Sequence, residues 1–466
     1  MSAFLDPASK RRALLALVPL TLLVACSSSS DPDAGPELVL LISVDTLRAD
    51  RLGAYGSDRG LTPRLDELAN ESVVFERAYA PSSFTVPSVS AFLTGRYPEQ
   101  NGIYTNEFTL NPKVPTLATL LKDEGYRTGA VVSNWVLRRA SGLDAGFEDF
   151  NDRFGQIEIN RGAPERIAAY TTDDTLAMLD RLTDAGQRVF LWVHYQDPHG
   201  PYTPPEDYLA TYVAKEKARP GGRAVLPLGR DHRGLDGIPT YQVLGSEREV
   251  GHYIGAYDAE VRYMDEELGR LMDGVKQRGL WNSATVAFVA DHGEGLGEKG
   301  YWFAHGEYLN DPLVHVPMIL RSPNLKPGRH GAPVGLVDLL PSMAGLLPFD
   351  APSGILGNDV LSAPPDASHP LYLATLLGAT RNRLAFIQDG YRLVAEFDEA
   401  GTMQKGELYR IGEDEEISAQ DPTRAQALLQ ALIQYKSEKV KLEHPATPQP
   451  RTQMDLEALR ALGYVE

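Results

Sequence analysis

Three short apolar runs in this 466-residue chain end in residues that bind metals or move protons. Leu38–Val44 runs into Asp45. Val189–Val193 runs into His194, Asp197 and His199. Thr285–Ala290 runs into Asp291 and His292. A fourth segment, Thr85-Val86-Pro87, puts a hydroxyl just ahead of a proline, a residue at home in the first turn of a helix. The N-terminus of that helix would favour negative charge through its amides and its dipole. Carboxylates and imidazoles gathered on a cation, with Thr85 held by it as an alkoxide, would form a centre for nucleophilic attack on an ester. Each piece also has a plainer reading. Thr85 suits an ordinary helix cap, Asp45 a strand-end turn, and Asp291-His292 a hydrogen-bonded pair. His194 reads as structural or as a support behind the ligands, and His315, between Val314 and Val316, as a hydrogen-bonded core histidine.

The elements that would carry these residues follow from the pattern. The three runs are continuous and rich in β-branched residues rather than alternating, as strands of a parallel sheet covered on both faces are. Between them, Ile254, Tyr257, Val261, Met264, Leu268, Leu271 and Val275 recur at helical spacing, which predicts a helix over 254–275. A weaker helix is predicted over 165–182. Strands alternating with helices imply an α/β fold, a central and largely parallel sheet flanked by helices. Ligands in such folds bind beyond the carboxyl ends of the strands, which is where all three runs deliver Asp or His. Residues 200–250, rich in Pro, Gly and charge, are predicted to form a long loop over that edge. After a linker at 364–368, the apolar segments 371–375, 384–388, 391–397 and 408–411 and a helix near 423–436 suit a small α+β C-terminal domain. The expected division is a catalytic domain over 37–363 and a C-terminal subdomain over 369–466.

Composition narrows the function. The formal charge is −18 with 45 Lys+Arg and 63 Asp+Glu, which excludes nucleic acid as a partner, since that requires a basic footprint. The glycines of Gly293-Glu294-Gly295-Leu296-Gly297 do not have the spacing of a nucleotide loop. No Gly-x-Ser-x-Gly elbow is present, which disfavours a serine hydrolase. The single Cys, Cys26, excludes a disulfide framework. It closes an N-terminal segment in which Lys10, Arg11 and Arg12 precede an apolar stretch from Ala13 to Ala25, too short to span a bilayer but suited to a signal peptide. Leu23-Val24-Ala25-Cys26 resembles the lipobox of bacterial lipoproteins, which implies cleavage before Cys26, acylation of that residue and membrane anchoring. Removal of residues 1–25 would leave a charge of −20. Residues 26–36, Ser- and Pro-rich, read as a tether, and about ten such residues span roughly 18 Å as a coil. Ser27 after Cys26 points to the outer membrane of a bacterial envelope.

From about Glu37 onward the chain resembles the sulfatase family of the alkaline phosphatase superfamily. The resemblance is carried by LISVDTLRADRLGAYG (41–56), LTPRLDELANESVVFERAYA (61–80), TVPSVSAFLTGRYPEQNGI (85–103), VHYQDPHGPY (193–202), VADHGEGLGEKGYWFAHG (289–306), HVPMIL (315–320), LVDLLPSMAGL (336–346) and the ends GELYRI (406–411) and LRALGYVE (459–466). It implies that Asp45, Asp291 and His292 are metal ligands, that Thr85 is a nucleophile touching the metal, and that His199 and His305 hold the substrate's oxyanion. His305 could also protonate the leaving oxygen. Asn106 matches a substrate-contacting Asn.

Two departures matter. Sulfatases carry Cys or Ser, oxidised to formylglycine, in a Cys/Ser-x-Pro-x-Arg motif. Here the motif reads Thr85-Val86-Pro87-Ser88-Val89. Oxidation of threonine would give a ketone, not an aldehyde, and the Arg is replaced by Val89. Thr85 resembles instead the nucleophile of the phosphate-ester branches, so phosphoester hydrolysis is expected ahead of sulfate-ester hydrolysis. Three alternatives are an arylsulfatase-like enzyme without formylglycine, a phosphoethanolamine-type transferase, and a non-catalytic binding lipoprotein. Second, two-zinc members place Asp and His four residues apart, whereas Asp197 and His199 are two apart. One divalent cation is therefore expected, Ca, Mg or Mn in an oxygen-rich site, with Zn if Asp197, His199 and His305 form a second one. The expected substrate is an ester of a small molecule, lipid or glycan.

Overall fold

The computed structural model describes residues 35–158, 163–184, 186–362, 368–377, 381–413 and 415–449. The proposed signal peptide, Cys26 and the LRALGYVE end lie outside them, as does most of the proposed linker at 364–368. In chain order the elements that matter are β1 (Leu38–Val44), β2 (Val73–Tyr79), α1 (Thr85–Thr94), β3 (Arg127–Val132), β4 (Asp149–Asn151), α2 (Ala168–Thr183) and β5 (Val189–Tyr195). They continue with α3 (Glu206–Lys217), α4 (Val250–Gln277), β6 (Thr285–Ala290), β7 (His315–Arg321), β8 (Gly328–His330), β9 (Val334–Gly335), β10 (Leu371–Leu377), β11 (Arg381–Gln388), β12 (Tyr391–Phe397), β13 (Met403–Arg410) and α5 (Pro422–Glu438).

The apolar runs form the centre of the main sheet because only a strand covered on both faces can use a side chain of that kind at every position. Every residue of β1, β5 and β6 is buried. The strand order is β8-β2-β7-β6-β1-β5-β3-β4, with β9 paired to β2. β1 runs parallel to both β5 and β6, and β7 is antiparallel to its two neighbours. The sheet is thus mixed and mostly parallel. The predicted helices are present and somewhat displaced, α2 over 168–183 and α4 over 250–277. The predicted loop at 200–250 contains α3, whose residues pack on α4. Its Pro205 start and the weak helical periodicity of 206–217 hid it among charged residues.

The C-terminal segments form an antiparallel sheet in the order β10-β11-β12-β13, with α5 packed on its strands. Tyr372, Leu384, Phe386, Leu393 and Leu408 bury one face of that sheet with Leu428 and Leu432 of α5. The sheet is bound to the catalytic half by the Ala374 amide, which donates to Pro81 O at 2.8 Å.

Register does the positioning. Val44 of β1 stands opposite Ala290 of β6 and Tyr195 of β5. The residues just beyond, Asp45 and Asp291, must therefore sit side by side, because adjacent strands lie only about 4.8 Å apart. The Asp291 amide donates to Val44 O at 3.1 Å, and the Asp45 amide to Tyr195 O at 3.0 Å. Among the described residues no helix is long and apolar enough to cross a membrane.

Candidate functional site

Asp45 and Asp291 leave β1 and β6 fully buried. Asp291 Oδ1 accepts the His292 amide at 2.7 Å and the Thr46 amide at 3.3 Å. To donate there, Thr46 sits at a φ of 54°. That left-handed conformation costs a β-branched residue of order 1–3 kcal/mol. Asp45 Oδ2 accepts from the Asn134 amide group and lies 3.5 Å from His194 Nε2. The other two oxygens, Asp45 Oδ1 and Asp291 Oδ2, are buried with no hydrogen-bond partner. Both stand 3.7 Å from His292 Nε2.

His292 is oriented by its other nitrogen, since Nδ1–H donates to Gly293 O at 3.0 Å. That bond leaves Nε2 as a lone pair turned towards the two carboxylates and towards Thr85 Oγ1 at 3.3 Å, the tautomer a metal ligand needs. Burial, reinforced by the neighbouring His305, pushes the His292 pKa down to about 3, so the ring is neutral. Burial and the charge of Asp45 hold the Asp291 carboxyl well above its usual range. Burial would raise Asp45 as well, but the imidazole of His199 and then the hydrogen bond from His194 outweigh it and hold Asp45 below its usual range.

Thr85 is the first residue of α1, behind the N-cap Phe84. The reading of Thr85 as an ordinary cap fails here. Asn106 Oδ1 takes the Val86 amide at 2.8 Å, which does the capping and leaves Thr85 Oγ1 to face His292. Ser88 Oγ donates to Asp291 O at 2.6 Å and so ties α1 to the end of β6. Asn106 is almost fully buried, and its Nδ2 has no partner.

The remaining imidazoles stack outward from His292. The ring centroids of His292 and His305 are 4.6 Å apart, and those of His305 and His199 are 5.0 Å apart. His305 Nδ1 donates to Glu294 Oε1 at 3.3 Å. Burial lowers the His305 pKa, but the buried Glu294 carboxylate more than offsets this and holds it above its usual value. Tyr241 and Gln242, from the segment over the sheet edge, both donate to Phe303 O and thereby fix the strand that leads to His305.

The structure thus brings Asp45, Thr85, Asn106, His199, Asp291, His292 and His305 to one edge of one sheet. Asp45, His194 and Asp291 offer ligand atoms within 4.8 Å of one another. His194 stands closer to the centre than its sequence reading suggested, with Nδ1 held at 2.8 Å by Ser43 Oγ. Asp197 takes the Ala168 amide at the head of α2 and faces Glu165. It is therefore turned away from a second cation site with His199 and His305. Three contributors were not singled out from sequence. Thr46 and Asn134 carried no signal, and Glu294 did, as an acidic residue between buried glycines after Asp291-His292. His315 Nε2 donates to Glu76 O at 2.8 Å, with its ring against Tyr79, as expected of a packed histidine.

The donor set fits a divalent cation. Two buried, unpartnered carboxylate oxygens and an imidazole lone pair converge, and without a cation they only repel or bind protons.

Comparison with known proteins places this arrangement. A family model described as Sulfatase matches residues 37–349. The iduronate 2-sulfatase of Homo sapiens is 25% identical over 419 residues, covering 72% of this chain and 74% of that protein. The choline-sulfatase of Rhizobium meliloti (strain 1021) is 26% identical over 351 residues, covering 67% and 68%. Among solved structures, a protein in complex with its substrate D-glucosamine-2-N,6-O-disulfate superposes with a TM-score of 0.72 at 18% identity, over 86% of this chain and 97% of that one. The phosphonate monoester hydrolase of Agrobacterium radiobacter superposes with a TM-score of 0.68 at 17% identity, over 87% and 96%. These superpositions establish the fold.

Two outcomes are expected. In metal-free protein at neutral pH, Asp291→Asn removes a carboxyl whose pKa is raised by folding, so its Tm should rise by a few °C. The same substitution should abolish the Tm increase that Ca, Mg, Mn or Zn gives the wild type, an increase worth about 2.7 kcal/mol at a hundredfold excess over Kd. Calorimetry with and without chelator checks both. Burial, then Glu165, pushes the Asp197 pKa up to about 7. The folded state therefore holds this proton more tightly than the unfolded chain, and stability is lost as pH rises towards and through 7. Asp197→Asn should raise Tm at pH 8 and leave it nearly unchanged at about pH 3, below the unfolded value, where both states are largely protonated.

Proposed function

The chain belongs to the sulfatase family, and from that premise we infer a metal-dependent ester hydrolase in which Thr85 is the nucleophile and phosphorus esters are preferred over sulfate esters. One observation carries the reading. A threonine hydroxyl heads a helix 3.3 Å from the lone pair of His292, at a position where an oxidisable Cys or Ser would be needed for an aldehyde.

Asp45, Asp291, His292 and Thr85 would hold the cation, which supplies Lewis-acid polarisation of the ester and lowers the pKa of the Thr85 hydroxyl. The rest is done by the chain. The N-terminal amides and dipole of α1 favour the anionic centre next to Thr85, and the buried Asn106 Nδ2 is a further donor at that helix end. Thr85 Oγ, its proton released to solvent beforehand, forms a bond to phosphorus as the bond to the leaving oxygen breaks. His305, its pKa raised by Glu294, gives that oxygen its proton from the imidazolium form. Water then attacks the phospho-threonine, the Oγ–P bond breaks, and His305 recovers a proton from the water. His199 neutralises charge on the equatorial oxygens.

Sulfate esters of threonine lack the hemiacetal collapse that a formylglycine hydrate offers, so they depend on direct attack by water at sulfur. That asymmetry favours phosphorus. The relatives named for sulfate esters keep the sulfuryl reading as the alternative outcome. The N-terminal motif ending in Cys26 adds an anchor. The enzyme would act at a bacterial envelope membrane, tethered by acyl chains on that residue.

Thr85→Ala should lower kcat/KM at least roughly a thousandfold. Wild-type protein with added divalent metal should turn over an aryl phosphodiester or phosphomonoester faster than an aryl sulfate. Faster sulfate turnover would reverse the preference, and full activity in Thr85→Ala would remove the nucleophile. Cys26→Ser should abolish incorporation of labelled palmitate in cells and move the protein from the membrane to the soluble fraction.

A further inference from the structure

Three strand ends stand in a row at the ligand-binding edge. Val44 of β1 is opposite Tyr195 of β5, and Val132 of β3 is opposite His194 of β5. Carried just past the strands, that register sets Gln196 between Asp45 on one side and Asn134 on the other, with neighbouring strands about 4.8 Å apart. Side chains alternate along a strand, so Gln196 shares a face with His194, which meets Ser43 and Asp45. Tyr195, between them, points the other way, to Thr172 of α2. Asn134 donates its amide to Asp45 Oδ2 across this row. The His199 amide donates to Gln196 O at 2.7 Å, a turn that keeps His199 beside the same strand end.

Gln196 is only 3% exposed, and both its Oε1 and its Nε2 are buried with no hydrogen-bond partner. Packing does not account for an amide here, because methionine fills a similar volume without desolvating a carbonyl and an amino group. The next segment repeats the feature. The indole nitrogen of Trp135, which follows Asn134, is buried without a partner, in a turn that packs on α1, the helix headed by Thr85.

These atoms describe what they would bind. A bare phosphoryl oxygen can accept from Gln196 Nε2 and from the indole, but it leaves Oε1 unanswered. The amide is neutral and adds nothing to hold a second negative charge. A group that donates and accepts at once, such as a hydroxyl, answers both atoms of the amide. In a phosphodiester one substituent leaves and the other stays on phosphorus through the covalent intermediate, so a contact to the staying arm persists through both halves of the reaction.

We propose that Gln196 is a specificity-determining residue that receives the non-leaving substituent of a phosphodiester, and that this substituent carries a hydroxyl or an equivalent donor–acceptor group. Trp135 supplies a further donor. The proposal rests on the phosphoryl reading of the Thr85 centre and goes beyond it in naming a diester and the arm that is recognised.

The test uses the metal-loaded mature protein and para-nitrophenyl diesters whose second arm is 3-hydroxypropyl or 4-hydroxybutyl, against butyl and pentyl arms of matching length. Wild type should prefer the hydroxylated arm by at least about tenfold in kcat/KM. Gln196→Met should cut that preference to about twofold or less, while turnover of the butyl diester stays within about twofold. The same substitution should raise the Tm of the ligand-free protein, because it removes a buried amide without a partner; a structural glutamine would make Tm fall. A lower Tm in the variant overturns the assignment. So does a preference that the variant leaves unchanged, which would mark the amide as the holder of a structural water. Faster turnover of para-nitrophenyl phosphate than of either hydroxylated diester would overturn it too. Titration calorimetry of metal-loaded Thr85→Ala with the same diesters gives a readout independent of turnover. Tighter binding of the hydroxylated arm, lost on adding Gln196→Met, supports the subsite even if no diester is cleaved, in which case the reading of Thr85 fails alone. Diester turnover that does not distinguish hydroxylated from alkyl arms overturns the subsite and leaves the Thr85 reading standing.

Discussion

Two carboxylates that cannot avoid each other govern this molecule. Asp45 and Asp291 follow register-paired residues on adjacent parallel strands, so the backbone itself sets them side by side. Both are fully buried, and each keeps one oxygen without a partner. Burial of like charges so close is unfavourable unless a cation or a proton intervenes. The protein strengthens the conflict rather than relieving it. His199 and His194 hold the Asp45 carboxyl below its usual range while Asn134 donates to it, and backbone amides fix Asp291 with the help of a strained Thr46. Such an arrangement is stable mainly as one half of a metal complex.

The other parts of the site are consequences of that centre. His292 follows Asp291 directly, and its Nδ1 bond to Gly293 O turns the lone pair of Nε2 inward. Helix α1 must bring Thr85 to the same point, and Ser88 fastens it to the chain carrying Asp291. Asn106 caps the helix so that the threonine hydroxyl does not. Gln449, the last described residue, donates to Asn106 O and Phe108 O and so braces the loop that carries the helix cap. Polarity then rises outward through His305, whose pKa the buried Glu294 raises against the effect of burial, and His199.

Much of this was legible in the sequence because a doubly covered strand uses an apolar residue at every position. β1, β5 and β6 could be named from composition alone, and the first polar residue after each had to stand at the ligand-binding edge. The C-terminal sheet and α5 were equally readable, since their apolar segments are short and separated by turns. What stayed hidden depends on contacts between distant residues. Nothing near Asn134 announces that it meets Asp45, 89 residues away. Asp197 read as a ligand only if a second cation site formed, its spacing to His199 being two rather than four, and its side chain takes the amide of Ala168 at the head of α2. α3 was missed because its apolar positions are few and its charged residues made it look like loop.

The identity of residue 85 is where local chemistry and family diverge. The relatives are named for sulfate esters and, among the solved structures, also for phosphonate monoesters, and both chemistries place an anionic ester against a cation. The difference lies in how the covalent intermediate is resolved. An aldehyde hydrate can expel its ester by collapse of the carbon centre, whereas a threonine ester can be cleared only at the heteroatom. Clearing at phosphorus needs an acid–base group that has just given up a proton and can take one back, and in the reaction proposed above that group is His305, paired with Glu294. The Thr85 hydroxyl and the buried Glu294–His305 pair are therefore best read together, as two parts of one solution to turnover without an aldehyde.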